Sequence, residues 1–297
     1  MSRTKYILAA ASAYFIWGFF SFGLKPISNY PPLKIMSFRL FVCVAVLSII
    51  SIIFRKHKIK KDLATFQSLS VKDKKNKVVG LVLGAIILLF NWLGFIYIVN
   101  EVNVQTAGLT YLICPILTTL LGFLLLKEKL SSEKWIAVAM STIACILLSI
   151  GHFRELYLAV FVALAFALYL IIQRRLNIFD SFNLLNIQTA IIAIILIPFF
   201  IATNDTIPTD PKFYSYIALI VGLFTIIPMY LTNLALQGIN SSTAGIFIYL
   251  NPIVNFLLAL FYFKEDVSLI QYLAYAIICL AIIVFNYKLI FKKQLST

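Results

Sequence analysis

The sequence predicts an all-α integral membrane protein: ten transmembrane helices, arranged as two inverted five-helix repeats around a central cavity. Three observations predict this. First, 62% of the 297 residues are hydrophobic and only 12% are charged, with a mean hydropathy of +0.99. A soluble domain averages about 45–50% apolar and about 25% charged residues. Second, ten apolar runs approach the roughly 20 residues that a spanning helix needs. Third, one stretch of the chain occurs twice.

The runs, in order, are 5–23, 33–54, 78–99, 103–126, 134–151, 155–173, 182–203, 213–236, 242–263 and 267–290. The first follows Arg3 and Lys5 and resembles a signal peptide in outline. It carries bulky Tyr14, Phe15 and Trp17, and passes into Gly23 and Pro26 without a small-x-small cleavage site, so it reads as an uncleaved span. The segment 55–77 holds nine of the 25 Lys and Arg residues. Such a cluster marks a cytoplasmic loop. Within it Ile59, Leu63, Phe66 and Leu69 recur at helical spacing beside Lys58, Lys60 and Lys61. That pattern suits either a short helix on the anionic inner leaflet or a solvated basic linker. The third run contains Gly80 and Gly84 in a G-x-x-x-G spacing, which suits close helix packing.

The distribution of Lys and Arg orients the chain. A cytoplasmic N-terminus places Arg3, Lys5, the 55–77 cluster, Lys127, Lys129, Lys134, Arg174, Arg175, Lys288, Lys292 and Lys293 on one side. The other side is poorer in basic residues, so both termini are expected in the cytoplasm. The net charge of +14 is therefore assigned to topology and not to nucleic acid. The four cysteines lie singly in apolar runs, and no C-x-x-C, metal-ligand set or ATP-binding loop is present. No cofactor is expected.

The duplicated stretch runs from Asn103 to Glu128 and again from Asn240 to Glu265. Thr106, Pro115 and Glu128 recur as Thr243, Pro252 and Glu265, a constant spacing of 137, and ten of 26 positions are identical. Repeats govern the architecture where they occur. Passing from Lys127-Glu128 to Lys264-Glu265 crosses five runs, an odd number, so the copies face opposite sides. The expected units are 1–151, with its cytoplasmic basic loop, and 152–297. Ala13 to Trp17 resembles Ala165 to Tyr169, which agrees. Inverted repeats are a recurring architecture of transporters, because two similar halves exchange conformations to open each side in turn.

The polar residues within the runs are the candidate solute-binding groups. All eleven Asp and Glu fall at loops or run ends, which speaks against a buried carboxylate proton relay. Arg39 is the one basic residue clearly inside a run, roughly 9 Å below its start at ~1.5 Å per residue. It either snorkels to the interface or faces the cavity and binds an anionic group. Tyr14 and Trp17 share a face, as do Asn91 and Phe95 beside Trp92, Tyr169 and Gln173, and Tyr230 and Asn233. Gln188 lies on the seventh run, Tyr111 near Pro115, and Tyr249 and Asn251 beside Pro252. Aromatic residues serve equally as lipid contacts and interfacial anchors. An unpaired amide in hydrocarbon is expensive, so the amides weigh more. Pro115 and Pro252, at matching places, are candidate hinges or gates.

These residues resemble a family. The duplicated fourth helix with its small residues, mid-helix proline and terminal Lys-Glu is similar to the EamA domain of the drug/metabolite transporter superfamily. Ala13-Tyr14-Phe15-Ile16-Trp17-Gly18, the stretch Asn91 to Asn100, and Gly108 to Pro115 resemble its RarD-like branch, with Gly245 to Pro252 in support. The branch commonly has His-Arg where this chain has Phe38-Arg39, and an acidic residue and Asn-Pro where it has Thr106 and Cys114-Pro115. The resemblance implies a bacterial inner-membrane permease, often an exporter of metabolites or toxic compounds. The function expected is a secondary transporter of a small organic or drug-like solute, by facilitated flux or exchange. The partners expected are that solute and the lipid bilayer, with the protein a monomer or homodimer. An integral membrane enzyme or lipid-handling protein is the alternative, and would need a polar cluster near one interface.

Overall fold

The computed structural model describes residues 3–102, 104–150, 156–202, 207–261 and 268–287, and the regular structure among them is helical. The first run forms two helices, α1 (Arg3–Trp17) and α2 (Phe20–Leu24), not one span of residues 5–23. The break falls at Gly18, whose missing side chain admits Val254: a Cβ there would lie 2.6 Å from it. A short tight turn, Lys25–Ile27, leads to α3 (Pro32–Phe54). Proline suits a first helical position, because that N–H has no partner within the helix.

Segment 55–77 is not a loop. It folds as α4 (Lys56–Ser68) and the first turns of α5 (Val71–Tyr97). The Ser70 hydroxyl caps α5 by accepting from the Asp73 N–H at 3.1 Å. The Ile59, Leu63 and Phe66 side of α4 borders a groove shared with Leu81, Phe179 and Leu184, so it faces protein as well as surroundings. A widened π turn, Ile98–Val102, ends α5, and α6 (Val104–Leu126) and α7 (Ser132–Ser149) follow.

The second part repeats the pattern: α8 (Leu156–Arg175), α9 (Ser181–Ala202) and α10 (Pro211–Val221). A π turn at Gly222–Ile226 joins α10 to α11 (Ile227–Gly238). Then come α12 (Ser241–Ile246), a tight turn at Phe247–Tyr249, α13 (Leu250–Phe261) and α14 (Leu269–Phe285). Among the described residues, seven helices are long and apolar enough to cross a membrane, and Ser241–Val254 and Leu269–Phe285 are shorter apolar helices. The ten expected runs are thus largely helical in their described parts, with the first and the ninth broken into shorter pieces.

The duplicated stretch is not conformationally duplicated. α6 runs unbroken through Pro115, whereas its counterpart breaks at Phe247–Tyr249 just before Pro252. Proline lacks an N–H, so the carbonyl four residues earlier is left free. In the second copy that carbonyl lies within the break. Lys264-Glu265 falls outside the described residues.

Helices equivalent by sequence pack reciprocally. α1 rests on α11 and α13, while α8 rests on α5 and α6; α3 pairs with α9, α7 with α14, and α6 with α12. The core follows these seams and includes fully buried Tyr14, Tyr169 and Tyr249.

Candidate functional site

Two polar features lie inside this apolar core. The first is a cavity of about 30 Å³ at the meeting of α1, α2, α3, α5, α6 and α8. Arg39 on α3 is its only charged lining residue among the described residues and is 3% exposed. Trp17, Asn91, Trp92, Phe95 and Tyr111, all candidates from the sequence, line the same space. Phe20 and Phe166 join them, and nothing in the sequence singles these two out.

Arg39 donates from Nε to the Thr225 hydroxyl at 2.9 Å. Its guanidinium carbon lies 4.2 Å from the Trp92 ring centre and 5.6 Å from that of Phe20. Arg39 therefore faces the cavity and does not snorkel to an interface. A cation buried within an apolar helix bundle is costly and is a functional candidate by default.

The π turn in the α10–α11 helix serves this site. Its widened ladder brings Phe224 and Thr225 toward α1 and α3. The Phe224 carbonyl accepts from the Trp17 indole N–H at 2.8 Å. The Thr225 hydroxyl accepts from Arg39 and donates to the Ile220 carbonyl at 2.8 Å. Such π turns are frequent at functional sites. Across the cavity, the Asn91 amide donates to the Val162 carbonyl on α8 at 3.0 Å. Phe95 and Tyr111 rings sit 5.1 Å apart, and Trp17 meets Phe166 edge-on at 5.8 Å.

The second feature is a belt of buried polar groups where α1, α8, α9 and α11 meet. Gln173 donates to Gln188 Oε1 at 2.6 Å. The Tyr169 hydroxyl makes long contacts to Gln188 at 3.4 Å and Asn233 at 3.5 Å. Tyr14 stands beside Thr232 and Tyr169. The Tyr14 and Thr232 hydroxyls face each other, and Gln188 Nε2 and Asn233 Nδ2 are buried without a hydrogen-bond partner among the described residues. Gly84 on α5 makes room for this belt, because a Cβ there would lie 2.5 Å from Gln188 Nε2. Unpartnered groups of this kind are rare in folded proteins and ask for an explanation.

The remaining predicted residues divide. Asn251 is buried beside Tyr111 and is not among the residues that line the cavity. Tyr230 lines neither feature; its ring packs on Phe182 at 6.2 Å. Tyr249 lies against Ser141 and Cys145 on α7, away from the cavity lining. Both tyrosines lie close to local departures from an ideal helix. The π turn at Gly222–Ile226 precedes Tyr230, and Tyr249 sits within the turn at Phe247–Tyr249.

One end of the molecule is closed by polar contacts. Glu128, just past α6, accepts from the backbone N–H and hydroxyl of Ser241 at 2.9 and 2.6 Å. Its other oxygen accepts from the Ser242 N–H at 3.1 Å and from the Ser242 hydroxyl. Lys127 adopts a left-handed conformation, φ 54°, which turns Glu128 back onto α12. Gly122 leaves the space: a Cβ there would lie 2.9 Å from Glu128 Oε2. Around this contact Arg174 donates to the Leu236 carbonyl, and Arg175 to the Leu125 carbonyl at 2.8 Å. Arg55 pairs with Asp180 at 2.7 Å. Asp62 accepts from the Asp180 N–H at 3.1 Å and from Asn183 at 2.7 Å, tying α4 to the start of α9. Among the described residues, no group of three or more His, Cys, Asp or Glu is placed to hold a metal.

Comparison with known proteins follows the same outline. The model of the EamA-like transporter family matches residues 4–150 and again 153–287. Protein RarD of Escherichia coli K12 is 26% identical over 293 residues, covering 97% of this chain and 96% of its own. Protein RarD of Salmonella typhimurium LT2 is 28% identical over 296 residues, covering 97% and 96%. An uncharacterized transporter of Bacillus subtilis 168, YojE, is 25% identical over 294 residues, covering 98% and 97%. A solved crystal structure shares the fold with a TM-score of 0.71 at 16% identity, over 99% of this chain and all of that one.

Proposed function

The chain belongs to the EamA-like transporter family, and from that premise we propose that this multi-pass membrane transporter is a secondary permease working by alternating access. It moves a small organic metabolite or drug-like solute across the bacterial inner membrane, as exporter or exchanger, with both termini cytoplasmic. The family is one of transporters, which removes the alternative of a membrane enzyme.

The observation that carries the mechanism is a polar interior in a closed state. The cavity of about 30 Å³ holds little more than a water, whereas pockets for small molecules run to roughly 300–1,000 Å³. Beside it lie the facing hydroxyls of Tyr14 and Thr232 and the amide nitrogens of Gln188 and Asn233, which have no hydrogen-bond partner among the described residues. The helices must part for a solute to enter and satisfy them. The odd number of runs between the two copies supports ten spans in two inverted fives, 1–151 and 152–297. The reciprocal packing of α1 on α11 and α13, and of α8 on α5 and α6, agrees with that symmetry. In this reading Glu128 on Ser241 and Ser242 latches the cytoplasmic side, and the Pro252 break lets α12 and α13 swing. With no carboxylate within a span, the flux is facilitated or exchanged and not proton-driven.

Reconstitution tests this. Purified protein in proteoliposomes is expected to exchange internal for external solute, and to do so without an imposed proton gradient. Transport that collapses when the gradient is removed contradicts the coupling, and a protein that exchanges no solute across broad metabolite pools contradicts the permease.

A further inference from the structure

Arg39 is a cation held in the interior with almost nothing to neutralise it. Of the five N–H donors of a guanidinium, one is used among the described residues, from Nε to Thr225. Among the described residues, none that lines the cavity is acidic. The rest of its surroundings are ring faces, Trp92 and Phe20. A buried charge without a counter-ion is strongly unfavourable. The cavity is thus built to be completed by something negative, and the planar fork of Arg matches a carboxylate with two parallel hydrogen bonds.

We propose that the Arg39 cavity takes the carboxylate of a small organic acid of single negative charge, with its apolar or aromatic body against Trp17 and Phe166, and that it selects against the matching amino acid. The proposal rests on the reading of this cavity as the solute site. Three features set the class. One cation balances one negative charge, and a phosphate monoester carries about −1.5 to −2 at neutral pH. An α-ammonium group would find no carboxylate among the described residues of the cavity wall. The aromatic walls reward a flat apolar body by stacking.

Tryptophan fluorescence gives a direct binding readout, because Trp17 and Trp92 are two of three tryptophans and both line the cavity. The purified full-length protein is titrated with phenylacetate, phenylacetamide, phenylglycine and phenyl phosphate. Phenylacetate is expected to bind about tenfold or more tighter than the amide, the size of one charge-assisted interaction. It is also expected to bind tighter than phenylglycine and phenyl phosphate. Arg39→Gln is expected to erase the gap between acid and amide, with a melting temperature no lower than the parent's, because an uncompensated charge has been removed. Equal binding of acid and amide overturns the proposal, as does a gap that persists in Arg39→Gln or the absence of any response to phenylacetate. Tighter binding of phenylglycine or phenyl phosphate overturns the assigned class. Counterflow in proteoliposomes separates this from the permease reading. A bound acid that is never exchanged contradicts the permease and leaves the anion site standing; exchange of neutral solutes without preference for acids does the reverse.

Discussion

At Arg39, charge, burial and stacking converge on one side chain. The permease reading predicts that Arg39→Ala abolishes transport while expression stays intact, and that Arg39→Lys restores only part of it. Lysine keeps the charge but lacks the planar fork and the stacking on Trp92; normal flux in Arg39→Ala would contradict the role. Tyr14 makes a different prediction. Its buried hydroxyl faces that of Thr232, so Tyr14→Phe is expected to change the stability of the empty protein by no more than about 1 kcal/mol while impairing transport. Chemical denaturation in detergent beside a flux assay checks both halves. Arg39 was legible in the sequence because a lone cation inside an apolar run stands out. Thr225 was not, since a threonine among apolar residues says nothing of a partner 186 positions away. Phe20 and Phe166 escaped for a related reason: a phenylalanine facing a cavity and one facing lipid look alike in sequence.

Among the elements, the latch and the broken helix distinguish the two copies of the repeat. Glu128→Gln leaves the size of the side chain but removes the charge that strengthens four hydrogen bonds. Bonds to charged groups contribute about 1.5–3 kcal/mol each, so a loss of at least about 2 kcal/mol at this contact is expected. A cysteine placed at buried Thr232, with exposed Cys279 replaced, should then react faster with a maleimide applied from the Glu128 side. An unchanged rate would mean that Glu128 holds nothing shut. Pro252→Ala is expected to slow turnover more than Pro115→Ala, because only the second-copy helix is broken beside its proline. Equal effects in a flux assay would make the break irrelevant. The apolar runs predicted helices, seven of which are long and apolar enough to cross a membrane among the described residues, since length and hydropathy decide what can span. They did not predict the breaks at Gly18 and Phe247–Tyr249, which depend on what packs against them. For α4 the helical spacing of Ile59, Leu63 and Phe66 was legible, but the basic charge left a solvated linker equally open and nothing showed the groove shared with Phe179 and Leu184.

For the whole molecule, the repeat in the sequence is matched by a reciprocal packing of the helices. The offset of 137 also exposes an asymmetry: Ser241 and Ser242 correspond to Val104 and Gln105, which bring no hydroxyls. A latch richer in donors at one end favours closure there, so the resting protein should favour the state seen in this structure. The central claim is that the Glu128 end must open in every transport cycle. Replacing Glu128 and Ser241 by cysteines and joining them with a bifunctional thiol reagent tests it most directly. In proteoliposomes the unjoined protein is predicted to exchange solute and the joined protein to exchange none. Equal flux before and after joining would contradict alternating access through this end.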